Sequence, residues 1–216
     1  MQYALRKIGV LAIGATANAD EAAGALVELE LMLKQWGHSG PFLFTKREGS
    51  QTITANDADY TLSSTLPLRI IEARYRDTSS PAHDVPMQPL TRDQYFELPV
   101  KTATGTPTTY YFDPVNASTG PVLYIWPLLA SATTEAIKYT YQRRIEDIDD
   151  LDNDIDIPQE WLGVVGYCLA DRLLDDYGVS DKVGDRITAR VQEMLQMAKD
   201  FEREEFTFFR PGFYRY

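Results

Sequence analysis

The sequence predicts an α+β protein: a helical bundle formed by N- and C-terminal helices, an inserted antiparallel β domain and an extended C-terminal tail. Apolar residues recur every three or four positions near both ends of the chain, which is typical of amphipathic helices. In the middle the apolar period is two and proline is frequent, which favours short strands and excludes long helices. The predicted domains are a helical one over residues 1–45 and 150–204, a β one over residues 46–149, and a tail over residues 205–216.

Two helices are predicted before the β domain. The first covers residues 3–11 and ends before Gly14, and Asn18 caps the second. One apolar seam along the second helix steps by three or four residues: Ala22, Leu26, Leu29, Leu33 and Trp36. Val27 and Leu31 add a second apolar strip. A helix that is apolar on two sides is either central to its own core or shared with a neighbouring subunit.

The β domain is predicted from short segments of strand-forming residues with turn residues at their ends. These segments are residues 51–54, 59–62, 68–75, 110–112, 122–126 and 136–141. A turn at Asn56 and Asp57 joins the first two, and a turn-rich segment joins the fourth and fifth into a hairpin. In the last segment Ile137, Tyr139 and Tyr141 share one face. Residues 91–96 predict a single helical turn.

A helix over residues 156–179 is predicted to close the fold over the β domain. Asp156 is its candidate cap, Pro158 suits the first turn, and Gly178 suits a left-handed residue at the C-terminal end. Its apolar face must be buried, and it consists of Trp161, Val165, Cys168 or Leu169, Leu173 and Tyr177. A last helix is predicted over residues 183–201.

Charge and composition exclude several classes of protein. The formal net charge is -11 and the pI about 4.6, which argues against binding nucleic acid by neutralising phosphates, although not against a surface that DNA passes. No stretch approaches the roughly 20 apolar residues that span a bilayer, so no membrane association is expected. The apolar run near the N-terminus is too short and glycine-containing for a signal peptide, so export is not expected. The single cysteine, Cys168, excludes an internal disulfide, fits a reducing compartment and is expected in the core.

Residues 146–156 contain seven carboxylates in eleven positions. Asp150, Asp152 and Asp154 match the first three ligand positions of a calcium loop. Ile155 and Trp161, however, stand where that loop needs glycine and glutamate. We therefore interpret the stretch as a solvated acidic linker, and no metal site is predicted.

Catalytic chemistry has little support in the sequence. The two histidines, His38 and His83, lie in no metal-ligand spacing, and no phosphate-binding glycine loop or nucleophile elbow occurs. Pairs of carboxylates are uninformative among 32 acidic residues. The chain is expected not to be an enzyme and to need no cofactor.

The C-terminal tail is rich in aromatic residues, with six in the last eleven positions. An exposed apolar tail invites aggregation unless something covers it. Either it folds back onto its own domain, or it docks on a partner, because aromatic residues and arginine anchor interfaces.

Several fragments, in order along most of the chain, resemble head-to-tail adaptor proteins of short-tailed bacteriophages, the tail tubular protein A family. The fragments are Ala4-Leu5-Arg6-Lys7-Ile8-Gly9-Val10, Met32-Leu33-Lys34-Gln35-Trp36, Tyr110-Tyr111-Phe112-Asp113-Pro114, Tyr124-Ile125-Trp126-Pro127, Tyr141-Gln142-Arg143-Arg144-Ile145-Glu146-Asp147, Ile157-Pro158-Gln159-Glu160-Trp161 and Leu169-Ala170-Asp171-Arg172-Leu173. The resemblance implies a ring, usually of twelve copies, that docks under the portal, retains packaged DNA and carries the tail nozzle. It places the protein at the head-tail junction of the virion, after assembly in the host cytoplasm.

The resemblance also implies site residues. The tail would reach onto the portal protein through Phe206, Phe208, Phe209, Arg210, Phe213, Tyr214 and Tyr216. The residues agree with a ring, because the second apolar strip of α-helical spacing, Val27 and Leu31, suits packing between neighbouring copies. The family implies no catalytic residues. DNA would pass through the channel without specific binding, because carboxylates facing the bore repel phosphates. The alternatives are a tail-associated cell-wall hydrolase and a carbohydrate-binding tail module that uses aromatics such as Tyr110 or Trp126, whose other interpretation is core packing.

Overall fold

The structure is a computed structural model, and it describes residues 1–39, 43–62, 66–115, 120–131, 135–146, 148 and 154–201. The fold is α+β. The chain divides into two compact units, one made of Met1–His38 with Glu146–Tyr216 and the other of Ser39–Ile145.

Within the described residues the chain forms five helices and seven strands. In chain order they are α1 Gln2–Lys7, α2 Ala19–Ser39, β1 Lys46–Thr52, β2 Asp59–Thr61, β3 Arg69–Arg76, β4 Asp84–Pro89, α3 Arg92–Phe96, β5 Thr109–Asp113, β6 Val122–Trp126, β7 Ala136–Gln142, α4 Leu162–Arg172 and α5 Asp181–Phe201. Short 3-10 turns precede β1 at Leu43–Thr45 and α4 at Gln159–Trp161.

Asn18 caps α2 as predicted. The Glu21 N–H donates to Asn18 Oδ1 at 2.8 Å, and the Asn18 N–H donates to Glu21 Oε2 at 3.0 Å, so two backbone donors at the helix start are satisfied reciprocally. The buried face is centred on Leu29 rather than on the whole predicted seam. It consists of Ala25, Leu29, Met32 and Leu33, whereas Ala22 and Leu26 are half-buried.

The predicted helix over residues 156–179 is too long. α4 begins at Leu162, after the 3-10 turn, and ends at Arg172. Asp156 does not cap it; its Oδ2 instead accepts the N–H of Glu146 at 3.4 Å. A longer helix would place two successive carboxylates, Asp175 and Asp176, at its negative C-terminal end, which is unfavourable. Gly178 does adopt the predicted left-handed conformation, with φ of +55°.

Aromatic rings join α4 to two other helices of its unit. The Tyr167 ring of α4 meets the Tyr3 ring of α1 edge to face, with centroids 5.9 Å apart. Trp161, immediately before α4, meets Trp36 of α2 in the same way at 5.7 Å. The Trp161 side chain is 2% exposed, so the fragment that follows Pro158 is anchored in the core.

Polar contacts also join α4 to its neighbours. Arg172 Nη1 donates to Glu28 Oε2 on α2 at 3.2 Å, and its other terminal nitrogen donates to Gln35. Thr188 of α5 donates through its hydroxyl to Asp171 Oδ1 at 2.5 Å. α4 is therefore the helix of this unit that contacts α1, α2 and α5.

Alanine substitution at two helical glycines of this unit, Gly166 and Gly24, is expected to change the free energy of unfolding in opposite directions. A Cβ at Gly166 would lie 2.6 Å from Cδ1 of Tyr3, whereas a Cβ at Gly24 would meet no atom within 4 Å. We expect Gly166→Ala to lower the free energy of unfolding by about 1–3 kcal/mol through overpacking. Gly24→Ala should raise it by about 0.5–1 kcal/mol, because alanine loses less backbone entropy in a helix. Chemical denaturation measures both; equal effects would contradict the packing of α1 on α4.

The second unit contains a seven-stranded sheet in the order β1-β7-β3-β4-β5-β6-β2. All neighbours are antiparallel except β4 and β5, which pair in parallel over two residues, so the sheet is mixed rather than antiparallel as predicted. β4 was not predicted by the apolar pattern, because it contains two prolines and buries only Met87.

The first two strands do not pair with each other. β1 pairs with β7 and β2 pairs with β6, so the predicted turn joins strands at opposite edges of the sheet. Asn56 still forms a turn, with φ of 59°. The predicted hairpin of β5 and β6 is confirmed, with Tyr111 opposite Tyr124. The predicted helical turn is α3, whose cap residue Thr91 exchanges hydrogen bonds with Gln94.

β7 carries the predicted apolar face of the sheet. Ile137, Tyr139 and Tyr141 are all at least nine-tenths buried. Gly49 of β1 lies opposite Tyr139 of β7, and a Cβ at Gly49 would lie 2.5 Å from the Tyr139 ring. The glycine thus leaves the space that this buried ring occupies.

Candidate assembly surfaces

The outer face of α2 exposes two large apolar side chains, Val27 and Leu31, which we call the outer ridge. Their exposed fractions are 55% and 51%. Each lies two residues from Leu29, and two residues correspond to about 200° around a helix. The outer ridge therefore points away from the buried face of α2, and no described residue of the same copy covers it fully. Its predicted packing against another subunit stays a prediction.

An apolar groove of about 240 Å³ lies between α4 and α5 and the turn before α4, and we call it the α4–α5 groove. It is lined by Glu160, Trp161, Val164, Met194, Met197, Ala198 and Phe201. Met197 is 60% and Phe201 79% exposed. The spacing of apolar residues in α5 predicts one buried face along its whole length, but only Ile187 and Val191 in its first half are fully buried. Periodicity alone could not locate this groove.

A second surface concentrates positive charge on an acidic chain. A cavity of about 460 Å³ is lined mainly by residues of α1, α4 and α5, among them Lys7, Tyr167, Arg186 and Arg190. The Lys7 ammonium lies 4.8 Å from the ring centroid of Tyr3 and 5.2 Å from that of Tyr167. Hydrogen bonding to Lys7 lowers the pKa of the Tyr167 hydroxyl. Arg190 Nη1 donates to Glu193 Oε2 at 2.6 Å, so part of this charge is neutralised locally.

The residues predicted to bind the portal lie outside the described residues. They are Phe206, Phe208, Phe209, Arg210, Phe213, Tyr214 and Tyr216. Much of the acidic stretch, residues 147 and 149–153, also lies outside them. The assignments of the portal interface and of the acidic linker stay predictions.

The aromatics considered for sugar binding are placed differently. Tyr110 is 4% exposed and belongs to the core of the β unit, so a sugar ring cannot stack on it. Trp126 is half-buried, and its Nε1–H donates to the carbonyl oxygen of Val100 at 2.9 Å. The core-packing interpretation fits Tyr110.

The described residues contain no group of three or more His, Cys, Asp or Glu side chains that could hold a metal ion. Cys168 is buried as predicted, and burial raises the pKa of its thiol to about 12. Among the helices within the described ranges, none is long and apolar enough to cross a membrane.

Comparison with known proteins gives one informative match. The family model for SU10 adaptor proteins matches residues 14–206. None of the curated proteins compared with the chain matches it. A chain from a solved structure described as the neck of an empty GTA particle, computed with C6 symmetry, is 11% identical, with 80% of this chain and 77% of that chain covered. Its TM-score of 0.27 is too low to support an argument about the fold. Because the family match spans most of the chain, this protein belongs to the SU10 adaptor protein family of phage head-tail adaptors.

Proposed function

We propose that this chain is the subunit of a ring that docks under the portal of a phage particle, retains the packaged DNA and provides the platform for the tail nozzle. The family match over residues 14–206 carries the adaptor role. The number of copies, twelve, and a role like that of tail tubular protein A are proposed from the resemblance of the sequence to that family. The ring would take its place at the head-tail junction after assembly in the host cytoplasm.

Exposure of the outer ridge supports the ring. Val27 and Leu31 are each about half exposed on a helix whose opposite face is buried. Covering apolar surface is favourable by roughly 25 cal/mol per Å², so neighbouring copies gain by burying these side chains. In this proposal the helices of the first unit form the bundle that contacts neighbours in the ring.

Residues 205–216 form the portal-binding tail in this proposal. Their aromatic residues and Arg210 are the types that anchor interfaces, and a segment that orders on binding can supply several anchors at once. We propose the same seven residues as the contacts, from Phe206 to Tyr216.

The net charge of -11 supports a conduit for DNA rather than a DNA-binding protein. Carboxylates facing the channel would repel phosphates, so that DNA slides, whereas a basic channel would hold it. This role needs neither a catalytic residue nor a cofactor, and we propose that the chain is not an enzyme.

Leu31→Asp should prevent ring formation and leave the subunit folded. Leu31 is 51% exposed, so a carboxylate there stays hydrated in the single subunit but is buried unpaired in the ring. Losing the apolar contact alone costs about 0.8–1.5 kcal/mol, because only the exposed half of the side chain is newly covered in the ring, and this corresponds to roughly 4- to 12-fold weaker association. Native mass measurement with and without portal, together with circular dichroism, separates assembly from folding.

Ile13→Asp is the matched control, because Ile13 is 98% exposed in the loop before α2 and makes the same apolar-to-acidic change. It should assemble like the unmodified chain. If Leu31→Asp still forms rings of unchanged stability, the outer ridge does not lie in the subunit interface.

A further inference from the structure

We infer that the outer ridge of one copy packs into the α4–α5 groove of the next copy. The inference rests on the ring of the proposed function and identifies the two surfaces that meet in it. Its occupant is therefore a second copy of this chain, contributing Val27 and Leu31.

A closed ring of more than two copies needs two different, complementary patches on each copy, because its contacts run head to tail. The first unit carries such a pair of patches. The outer ridge projects from one helix, and the α4–α5 groove is concave and apolar. One surface of each kind is what a repeated head-to-tail contact requires.

A copy does not fill its own groove with its own ridge. α2 contacts α4 through Trp36, whose ring meets that of Trp161, and through Glu28, which accepts a hydrogen bond from Arg172. Val27 and Leu31 are not among the described residues that line the groove of their own copy, and each is about half exposed. Both side chains therefore remain available to the groove of a neighbouring copy.

The ridge is short enough to fit within the groove. Val27 and Leu31 are four residues apart, or about 6 Å along the helix axis, and Met194 and Phe201 are seven apart, or about 10 Å. A closed apolar cavity of about 150 Å³ admits a benzene-sized group. The groove volume of about 240 Å³ therefore has room for more than one aliphatic side chain.

The lining of the groove suits this occupant. Trp161 and Val164 form one apolar wall of the groove, and two methionines of α5, Met194 and Met197, also line it. Methionine adapts its shape to an incoming apolar side chain. Seating the ridge would also cover Met197 and Phe201, which are 60% and 79% exposed in the single copy.

Cysteine cross-linking tests the contact in assembled rings. A Leu31→Cys, Met197→Cys double variant should form, under mild oxidation, a ladder of covalent multimers that reaches the whole ring. Rings mixed from the two single variants should give covalent dimers of one copy of each, and neither single variant should cross-link alone. Both positions are more than half exposed, so neither substitution disturbs the core.

The native thiol does not interfere, because Cys168 is buried and its pKa is about 12. The unmodified chain shows how much cross-linking occurs without the introduced cysteines. A Leu31→Cys, Ile13→Cys double variant is the matched control for cross-links formed by random collision, because Ile13 is 98% exposed.

Rings that form normally but give no more 31–197 cross-links than the control pair would overturn the inference and leave the proposed function intact. A Phe209→Cys, Met197→Cys variant that closes a disulfide within one chain would also overturn it, because the groove would then hold the tail of the same copy. Failure to form rings with and without portal would overturn both proposals.

Discussion

Deletion of residues 206–216 is expected to abolish binding to the portal and to leave helix content and the free energy of unfolding unchanged. The deleted segment contains six aromatic residues and Arg210, and it lies outside the described residues. Anchor residues at interfaces commonly contribute 2 kcal/mol or more each, so losing several should weaken binding by well over 100-fold. Co-sedimentation with portal particles measures the binding, and circular dichroism measures the helix content.

A length-matched variant separates the aromatic side chains from the length of the tail. Replacing Phe206, Phe208 and Phe209 with serine keeps the chain length and should reproduce most of the loss. Normal portal binding by the deletion variant would show that the tail assignment is wrong, while membership of the adaptor family would stand. Loss of the fold would show that the tail packs on its own domain.

Trp161→Ala is expected to lower the free energy of unfolding by about 3–5 kcal/mol, the range for removing a large aromatic side chain from a core. Trp161 is 2% exposed, and its ring meets Trp36 edge to face at 5.7 Å and 66°. It ties the start of α4 to α2. Denaturant unfolding followed by circular dichroism measures the change.

Leu162→Ala, at the next position, is the control. Leu162 is 48% exposed, so its substitution should lower stability by about 1 kcal/mol, well below the effect of Trp161→Ala. If the two variants differ by less than about 1 kcal/mol, Trp161 does not hold the helices of this unit together.

The elements that the sequence predicts well are those in which local chemistry and burial agree. Asn18 caps α2 because its side chain and that of Glu21 satisfy each other's backbone donors. β7 is predicted because Ile137, Tyr139 and Tyr141 alternate with polar residues on a half-buried strand. Each pattern lies within a few residues of the chain.

The misses depend on long-range pairing or on competing local effects. The partners of β1 and β2 are strands more than sixty residues away, and a turn at Asn56 cannot specify them. β4 is hidden by its prolines, and α4 stops early where Asp175 and Asp176 follow. The apolar strip of Val27 and Leu31 allows two interpretations in the sequence: a helix at the centre of its own core, or a helix shared with a neighbouring subunit. Both side chains are about half exposed in the structure, so α2 is not buried on all sides.

The α4–α5 groove could not be predicted, because it depends on how the second half of α5 lies against Trp161 and Val164. In the sequence the groove is indicated only by two apolar residues near the end of α5, Met197 and Phe201, which the structure shows to be exposed. The same spacing is also produced by a helix buried along its whole length.

Imaging and mass measurement of the purified chain mixed with its portal test the ring most directly. We expect closed rings of this chain seated on one end of the portal, with a mass that is an integer multiple of the 24.5 kDa subunit added to that of the portal. A chain that stays at the mass of one subunit and leaves the portal bare would contradict the account.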